Sequence, residues 1–350
     1  MKIFVCEYIS AGGLYREPLP ASLAQEGLLM RDALLRDIAE SDFARQHHCE
    51  IISSYDVRLP PPSPVSRAIA ITQQDDVWKI WHDCITDCDA VWLVAPETDG
   101  VLARLTEIVT GQNKMRLGCD LASIHLTSSK FQTCKALQTA GIPTLPTYQF
   151  SAWQALDSAQ KQVNSWVAKP DDGVGCTDSG YFANAAQLSA WMQQGRTQTH
   201  IIQRYQPGIA ASLSLLCKQG RAWLLSCNLQ KIELQKDTPM AGQFVYSGSV
   251  LNGMAAHWAA FAQIAQQVAT AFPGLCGYVG VDVLVDVLEG EPASPNQIYV
   301  LEINPRLTTS YVGLRAAMDY NPANLILDLF YNAHFQLPTN LARNVVEISI

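Results

Sequence analysis

The sequence predicts an α/β protein that changes to an α+β arrangement in its C-terminal half. Up to about Gly118, apolar stretches typical of strands alternate with stretches of helical periodicity, which favours an open α/β sheet. Further along, apolar strands at 278–287 and 298–303 are separated only by a polar connector, which indicates a hairpin. With 350 residues, 48% of them apolar, the chain is long enough for two or three domains.

The N-terminal elements alternate along the chain. One helix is predicted at Glu26–Ile38, and strands are predicted at Lys2–Cys6, Ile51–Tyr55, Ala68–Thr72 and Ala90–Ala95. The last strand is so apolar that we expect it inside the sheet. The proline-rich segment 59–64 is predicted to be an extended loop, because proline fixes φ and restricts the residue before it.

Two loops at strand ends are candidates for ligand contact. Residues 7–13 read Glu-Tyr-Ile-Ser-Ala-Gly-Gly, which permits a tight turn or a close backbone approach but is not a dinucleotide-binding motif. Residues 96–100 follow the central strand, at the edge where open α/β sheets bind ligands. For this second loop we favour a simpler interpretation, in which Thr98 or Asp99 caps the next helix.

Lys130 lies at the start of a helix that is predicted to run to about Ala140, with Thr127 or Ser128 as its cap. A lysine in the first turn opposes the helix dipole, which favours acidic residues there. The conflict is resolved if Lys130 faces a phosphate. The next elements are predicted at Thr147–Phe150, a strand, and Ala152–Asn164, a helix.

A glycine-rich loop follows the strand that ends at Lys169. The segment 169–175 reads Lys-Pro-Asp-Asp-Gly-Val-Gly, and Gly180 precedes a short strand at Tyr181-Phe182. Backbone N–H groups of such a loop can fold over phosphate oxygens, and the lysine can neutralise phosphate charge. The Gly-Lys-Ser/Thr of a Walker loop is missing. A flexible hairpin loop without a ligand is the alternative.

A strand that runs into a turn is predicted at 200–208. If this strand joins two small domains, Gln203 and Tyr205 can line an adenine; an ordinary core strand is the alternative. The elements after it are predicted as strands at Ser212–Cys217 and Ala222–Gln230, a polar loop facing substrate at Glu233–Ser249, and a helix at Ala255–Ala271.

Acidic side chains on two C-terminal strands form the candidate metal site. Glu302 and Asn304 share one face of a strand, because side chains alternate along it. Asp282 interrupts an apolar strand, where a carboxylate is costly unless it is paired or binds metal, and a hairpin places it within about two positions of Glu302. Such oxygen ligands suit Mg²⁺. Arg306 adds a cation that matches phosphate or carboxylate, whereas a solvent-facing Glu302 is the alternative.

The composition excludes several classes of function. The net charge is −8, only 16% of residues are charged, and no Lys/Arg cluster is present, so we expect no nucleic-acid partner. No apolar run reaches the ~18 residues of a membrane span, and the N-terminus lacks a signal-peptide pattern. Cys84 and Cys88, the only close cysteine pair, are expected to be buried reduced thiols in a cytoplasmic protein, and we predict no zinc site.

The order of these motifs resembles the ATP-grasp superfamily of carboxylate–amine ligases over roughly residues 120–320. Lys130, Lys169 with its glycine loop, the strand around 203–205, Asp282, and Glu-Ile-Asn-Pro-Arg at 302–306 carry the resemblance. It implies an ATP-grasp fold behind an N-terminal open α/β (pre-ATP-grasp) domain. Within the superfamily, Glu7-Tyr8 with Gly12-Gly13, Gln25-Glu26-Gly27 and Asn228-x-Gln230 are similar to the tyramine–glutamate ligase group.

The resemblance also implies roles for single residues. ATP phosphates are assigned to Lys130, Lys169, Gly173 and Gly175, the adenine to Gln203, Arg204 and Tyr205, and Mg²⁺ (or Mn²⁺) to Asp282, Glu302 and Asn304. Arg306 is the implied catalytic residue, which stabilises an oxyanion. Such ligases often carry an acidic residue for the ribose after the hinge; this chain has none between Gly208 and Ser212, so Ser212 is the expected substitute.

The implied domains are an N-terminal open α/β domain at 1–118, a small lid subdomain at 119–200, and a C-terminal subdomain with the metal site at 201–350. The implied reaction is ATP-dependent amide formation between a small carboxylate and a small amine through an acyl phosphate. In the tyramine–glutamate group the substrates are glutamate and an aromatic amine, on the way to a furan-type one-carbon carrier. The sequence leaves a homodimer open. An ATP-grasp phosphotransferase and a non-catalytic nucleotide-binding protein are the alternatives.

Overall fold

The fold consists of three β-sheets with their helices. The structure, a computed structural model, describes residues 1–162, 165–173, 175–236, 242–286 and 297–350. Within these ranges the sheets have five, four and six strands, in that order along the chain. In the described ranges, no helix has both the length and the apolar character that crossing a membrane requires.

The first sheet is the predicted open α/β sheet, and all of its paired strands are parallel. Its elements are β1 (Lys2–Glu7), α1 (Ala21–Ala39), α2 (Asp42–Gln46), β2 (Glu50–Asp56), β3 (Arg67–Ile71), α3 (Val77–Asp87), β4 (Ala90–Val94), α4 (Val101–Gly111) and β5 (Met115–Arg116). The predicted strands and the helix over 26–38 are confirmed. Strand β4 is buried throughout and lies between β1 and β5, as its apolar sequence indicates.

The order of strands in this sheet is β3-β2-β1-β4-β5, so the chain moves outward in one direction to β3 and then in the other from β4. The strand order therefore reverses between β1 and β4. Glu7 ends β1, and Glu97 follows β4 by a few residues. Because open α/β sheets form ligand crevices outside the carboxyl ends of such strands, this edge is the expected binding edge of the domain.

The second sheet is small and antiparallel. Two helices lead to it, α5 (Leu121–Ser128) and α6 (Lys130–Thr139). Its elements are β6 (Thr147–Gln149), α7 (Phe150–Gln154), α8 (Ser158–Gln162), β7 (Trp166–Pro170), β8 (Gly180–Phe182), α9 (Ala185–Met192) and β9 (His200–Arg204). Aromatic side chains such as Trp153, Trp166 and Phe182 give it a hydrophobic core that is separate from the others. The sheet includes β9, so it extends to Arg204, past the domain boundary that we propose at 200.

The third sheet is antiparallel and carries the candidate metal ligands. Its elements are β10 (Ile209–Lys218), β11 (Arg221–Gln235), β12 (Gln243–Leu251), α10 (Trp258–Ala271), β13 (Gly277–Val285), β14 (Ile298–Asn304), α11 (Tyr311–Met318), α12 (Pro322–Tyr331) and β15 (Val346–Ser349). The strand order is β14-β13-β10-β11-β12-β15. One face packs in a core shared with the first sheet, where Val281 and Phe261 belong to the same cluster as Phe4 and Trp81.

The predicted cap of the helix that contains Lys130 is wrong. Thr127 and Ser128 do not cap the helix of Lys130, because they end α5. Ser129 has an extended backbone between the two helices, and its Oγ accepts a hydrogen bond of 3.1 Å from the Gln132 backbone N–H, so Ser129 is the cap.

The predicted single helix at 152–164 is two short helices. The second begins after Asp157, whose carboxylate accepts a hydrogen bond of 2.7 Å from the Gln160 backbone N–H. This local capping bond offers the chain a new helix start, and so it interrupts the amphipathic pattern. Residues 163–164 of the prediction lie outside the described residues.

The predicted loop at 233–249 is largely the two arms of a β-hairpin. Strand β11 continues to Gln235 and pairs with β12, with Glu233 opposite Val245 and Gln235 opposite Gln243. Exposed and half-buried residues alternate at the start of β12, which is the burial pattern of a strand with one solvated face. Polar residues on that solvated face gave the segment the composition of a loop. Residues 237–241 lie outside the described residues.

Candidate active site

The two candidate metal carboxylates lie directly opposite each other on neighbouring strands. Asp282 of β13 is the register partner of Glu302 of β14, and Gly280 is the partner of Asn304. Directly opposed residues on antiparallel strands have Cβ atoms about 4.5–5.5 Å apart, so the two carboxylates share one patch of the sheet face. The sequence predicted them within two positions, and the register places them at the same position.

Two amides hold the carboxylate of Asp282. The Gln230 side chain donates a hydrogen bond of 2.9 Å to Asp282 Oδ1, and the Asn304 side chain donates one of 3.1 Å to Oδ2. Burial and, after it, the nearby negative charge of Glu302 raise the pKa of Asp282 to about 6, against the lowering effect of Asn304. Two carboxylates so close together repel each other, and a cation between them removes the repulsion.

Both predicted phosphate lysines lie beside these carboxylates. The Lys130 amino group is 3.2 Å from Glu302 Oε1, and the Lys130 side chain is 5% exposed. Lys169 is the last residue but one of β7 on the small sheet. Burial lowers the pKa of its amino group, the negative charge of Glu302 acts in the opposite direction, and the positive charge of Lys130 lowers this pKa further. Glu302 and Lys130 affect this pKa because their charges lie near the Lys169 amino group. The structure therefore brings lysines from α6 and β7 to the carboxylates of β13 and β14.

The start of the glycine-rich loop is tied to the helix of Lys130. Asp171 accepts hydrogen bonds from the Ser129 hydroxyl (2.6 Å) and from the Phe131 backbone N–H (2.8 Å), and Lys130 donates to the carbonyl oxygen of Gly173. At Gly173 a Cβ atom would come 2.8 Å from Pro170, so glycine permits this close turn. Gly175 is exposed with a φ of 63°. Val174 lies outside the described residues.

The loop after β4 contacts this glycine-rich loop and does not cap a helix. The Thr98 hydroxyl donates a hydrogen bond of 3.0 Å to the Asp172 carbonyl oxygen. The Asp99 backbone N–H donates one of 3.2 Å to the Asp172 carboxylate. Helix α4 begins without a side-chain cap. The favoured interpretation of Thr98 or Asp99 as a helix cap is therefore wrong, because Gly100 occupies the cap position and the Thr98 hydroxyl bonds to Asp172 instead.

Arg306 forms a bidentate ion pair with Glu97. Its Nε lies 3.1 Å from both carboxylate oxygens of Glu97, and its Nη2 lies 2.9 Å from Oε2. The side chains are 13% and 6% exposed, so the pair is buried. The Nη1 of Arg306 also donates a hydrogen bond of 3.1 Å to the Leu307 carbonyl oxygen. The predicted catalytic arginine thus joins the end of β14 to the loop after β4.

The predicted adenine residues lie at the end of β9, which is an inner strand between β6 and β7. Gln203 is buried, and its side-chain amide donates a hydrogen bond of 2.8 Å to the Thr147 hydroxyl. The Nε of Arg204 is buried without a hydrogen-bond partner in the described residues, a group for which a ligand is an expected partner. The ring of Tyr205 meets that of Tyr181 edge-on at 5.0 Å. Their adenine contacts stay predictions.

Ser212 lies in the centre of the third sheet. Its register partners are Asp282 on one side and Asn228 on the other, and its hydroxyl accepts a hydrogen bond of 3.3 Å from the Asn228 amide. Ser212 is therefore beside the candidate metal ligands and several residues beyond Ile209, where β10 begins. The assignment of Ser212 to the ribose stays a prediction.

The turn after β1 uses its glycines for packing. Gly12 has a φ of 102°, and a Cβ atom there would lie 2.8 Å from Ile71; a Cβ atom at Gly13 would lie 2.5 Å from the Tyr8 ring. The Tyr8 hydroxyl donates a hydrogen bond of 3.2 Å to the Gly13 carbonyl oxygen. Of the two open interpretations of this segment, the tight turn is the one that these contacts support.

The donor set fits Mg²⁺. Asp282 and Glu302 are opposed carboxylates, and Asn304 stands two residues from Glu302 on the same strand face, with its amide oxygen unbonded in the described residues. Mg²⁺ prefers such oxygen ligands, with nucleotide phosphates and water completing the octahedron. Among the residues that the structure describes, no group of three His, Cys, Asp or Glu side chains is close enough to form a metal site alone. A nucleotide-dependent Mg²⁺ site, with two carboxylates, fits this arrangement.

We expect a pH dependence from Asp282. Its pKa of about 6 in the folded chain lies above the ordinary 3.8, so between these values the native carboxyl holds a proton that the unfolded chain has released. The metal-free protein should therefore lose stability as pH rises through this window. Metal binding requires the ionised form, so Mn²⁺ affinity, measured by electron paramagnetic resonance, should fall about tenfold per pH unit below the pKa. Asp282→Asn should remove the dependence; an unchanged profile in that variant contradicts this assignment.

The sequence profile of an ATP-grasp domain family matches residues 127–310, and that of a pre ATP-grasp 3 domain matches residues 49–124. The first match covers more than half of the chain and includes both lysines and all three candidate metal ligands. The chain belongs to the ATP-grasp family. The predicted ATP-grasp fold with an N-terminal pre-ATP-grasp domain is confirmed.

Two curated relatives are tyramine–L-glutamate ligases. The protein of Methanocaldococcus fervens is 24% identical over 316 residues, which cover 89% of each chain. That of Methanocaldococcus jannaschii is 26% identical over 227 residues, which cover 65% of this chain and 58% of the relative. The predicted resemblance to this group is confirmed, and this ATP-grasp protein falls among the ATP-dependent C–N ligases of the family.

Solved structures share the fold. An ATP-grasp superfamily protein from Archaeoglobus fulgidus aligns with a TM-score of 0.64 and 21% identity, covering 100% of this chain and 99% of that one. The biotin carboxylase domain of the Hydrogenobacter thermophilus 2-oxoglutarate carboxylase, solved with MgADP, aligns with a TM-score of 0.67 and 10% identity, covering 98% and 72%. At these identities the likeness concerns the fold.

Sequence reasoning missed several residues of this ATP-grasp site. Glu97 pairs with Arg306, and Gln230 bonds to Asp282. Asp171 bonds to Ser129, the neighbour of Lys130. Glu97 had a usable signal, because an acidic residue just after a central strand lies at the ligand edge of the sheet. Asp171 and Gln230 had none that composition or spacing provides, since their partners come from other elements.

Proposed function

We propose that this ATP-grasp protein joins the γ-carboxyl of glutamate to an aromatic primary amine such as tyramine, with conversion of ATP to ADP and phosphate. The observation that carries the proposal is the convergence of Lys130 and Lys169 with Asp282 and Glu302 on one patch of the third sheet. The curated relatives named for this reaction support the choice of substrates.

In the first step a γ-carboxylate oxygen attacks the γ-phosphorus of ATP, which forms an acyl phosphate and releases ADP. We assign Lys130 and Lys169 to the phosphate oxygens, because charge on the transferred phosphoryl group must be neutralised as the bond forms. Asp282, Glu302 and Asn304 would hold Mg²⁺, which supplies charge neutralisation at the phosphates when bound. The glycine-rich loop, tied to α6 through Asp171, would exclude water from the acyl phosphate.

In the second step the amine nitrogen attacks the acyl carbon, phosphate leaves, and the nitrogen loses a proton to give the amide. Negative charge develops on the carbonyl oxygen in the tetrahedral state, and a preorganised donor nearby stabilises it. Arg306 stays our proposal for that donor. Glu97 fixes its guanidinium through Nε and Nη2, so the N–H groups that it leaves unbound are held in one orientation.

The proposal is tested with purified protein, ATP, Mg²⁺, L-glutamate and a panel of amines, with ADP release and product mass as readouts. We expect ADP release that depends on both substrates and a product with the mass of γ-glutamyltyramine. A phosphorylated product without an amide would identify the phosphotransferase instead. ATP binding without ADP formation across the panel would favour a non-catalytic nucleotide-binding protein.

A further inference from the structure

Helix α1 meets the segment after β14 at a place that we call the crevice, and a carboxylate there has no role in the proposed reaction. Glu26 lies on α1, close to the edge of the first sheet where the strand order reverses between β1 and β4. The Thr309 hydroxyl, three residues beyond Arg306, donates a hydrogen bond to Glu26 Oε1. Glu26 therefore connects the binding edge of the first sheet to the segment that follows the metal-site strand.

Packing between α1 and β1 brings Glu26 to this place. Gly27 lies against the buried carboxylate of Glu7, where a Cβ atom would come 2.7 Å from Glu7 Oε2. Glu7 itself accepts hydrogen bonds from the backbone N–H groups of Ser10 (2.8 Å) and Ile9 (3.3 Å), and burial raises its pKa. Glu7 thus stabilises the turn after β1, whereas the neighbouring Glu26 is only half-buried and borders the crevice.

The charge of Glu26 is not neutralised by the part of the chain that the structure describes. Two other carboxylates nearby have cations, since Glu302 pairs with Lys130 and Glu97 pairs with Arg306. Asp282 is held by two side-chain amides instead. Glu26 has no ion-pair partner among the described residues, and its Oε2 accepts no hydrogen bond there. A ligand cation can therefore bind Glu26 without displacing a cation of the protein, and charge-assisted hydrogen bonds would hold it there.

Glu26 also faces the same space as the metal ligands. Its charge contributes to the raised pKa of Arg306, after the larger influence of Glu97. Burial raises the pKa of Tyr246 on β12 to about 12, and both Asp282 and Glu26 add to that rise. The Tyr246 hydroxyl is 2.8 Å from the Ser249 hydroxyl. Ser249 is the register partner of Gln230, which bonds to Asp282, so Tyr246 lies on the metal-site side of the sheet.

We propose that Glu26, oriented by the Thr309 hydroxyl, forms a subsite for the primary ammonium group of a substrate. The proposal rests on the proposed function for the identity of the substrates, each of which carries such a group. The ammonium belongs either to the incoming amine or to the α-carbon of glutamate. A carboxylate recognises both by the same charge-assisted hydrogen bonds, and the experiment separates them.

The test uses the full chain with Mg²⁺ and adenylyl imidodiphosphate, and isothermal titration of two matched ligand pairs. Tyramine is compared with 4-ethylphenol, and L-glutamate with N-acetyl-L-glutamate. We expect the wild type to prefer the ammonium member of one pair by about tenfold or more, since the other member lacks the charge-assisted hydrogen bond to Glu26. Glu26→Gln, which keeps an acceptor for Thr309, should lose that preference and bind the nucleotide analogue as before.

The pair that loses its preference identifies the source of the ammonium group. Glu17→Gln is the matched control, since it removes the same charge from an exposed side chain before α1 and should keep the preference. If Glu26→Gln keeps the preference in both pairs, or the wild type has none, the subsite is wrong. Amide synthesis by the wild type would still support the proposed function in that case. Conversely, a charge preference lost in Glu26→Gln without any amide product keeps the subsite and rejects the function.

Discussion

Glu302→Gln is expected to lower turnover by at least about a hundredfold while the protein stays folded. Glu302 lies opposite Asp282 and 3.2 Å from the Lys130 amino group, so one substitution removes a candidate metal ligand and the partner of a phosphate lysine. Loss of an outer partner of a metal ligand alone costs about ten- to a hundredfold, and loss of the ligand itself should cost more. Glutamine keeps an oxygen acceptor for Lys130, which limits the structural damage.

The measurement is the rate of ADP release at saturating glutamate and amine, with circular dichroism as the check on folding. Glu347→Gln is a suitable control, because Glu347 is also a sheet residue paired with a lysine but its side chain is 61% exposed at the far edge of the sheet. That control should retain wild-type turnover. A Glu302→Gln enzyme that works at the wild-type rate would remove Glu302 from the mechanism.

Glu97→Ala is expected to lower the free energy of unfolding by about 3–5 kcal/mol, the cost of removing one partner of a buried ion pair. Arg306 would keep its charge in a site where only 13% of its side chain is exposed, with one remaining hydrogen bond to a backbone carbonyl. Because the pair joins the loop after β4 to the segment after β14, the loss should also loosen the contact between the first and third sheets. Guanidinium denaturation measures the change.

A double-mutant cycle separates the pair from its surroundings. Glu97→Leu combined with Arg306→Leu leaves no unpaired charge, so the double variant should be more stable than the sum of the single losses predicts. The exposed pair of Lys231 and Glu347 is the comparison, and its removal should cost at most about 1 kcal/mol. A loss of that small size for Glu97→Ala would contradict the role of the buried pair.

Elements with strong local signals were predicted well from the sequence. Strand β4 has only apolar residues, and β14 ends in the Glu-x-Asn-Pro-Arg pattern, so their type and position follow from the chain itself. Predictions failed where weak local preferences compete. A serine between two helices, an aspartate within a helical pattern and a solvated strand face each allow two structures. Local capping bonds select one of them in the first two cases, and pairing between β11 and β12 selects it in the third.

The sequence by itself determined the fold class, the ATP-grasp motifs and the residue types of the candidate metal and phosphate site, because these depend on periodicity and on spacing within single segments. Only the tertiary structure decided that Asp282 and Glu302 share one register position, that Arg306 pairs with Glu97, and that Glu26 is left without a cation in the described chain. The physical reason is that partners from separate segments meet through strand register and packing between sheets, and neither is written in the spacing of residues along one segment.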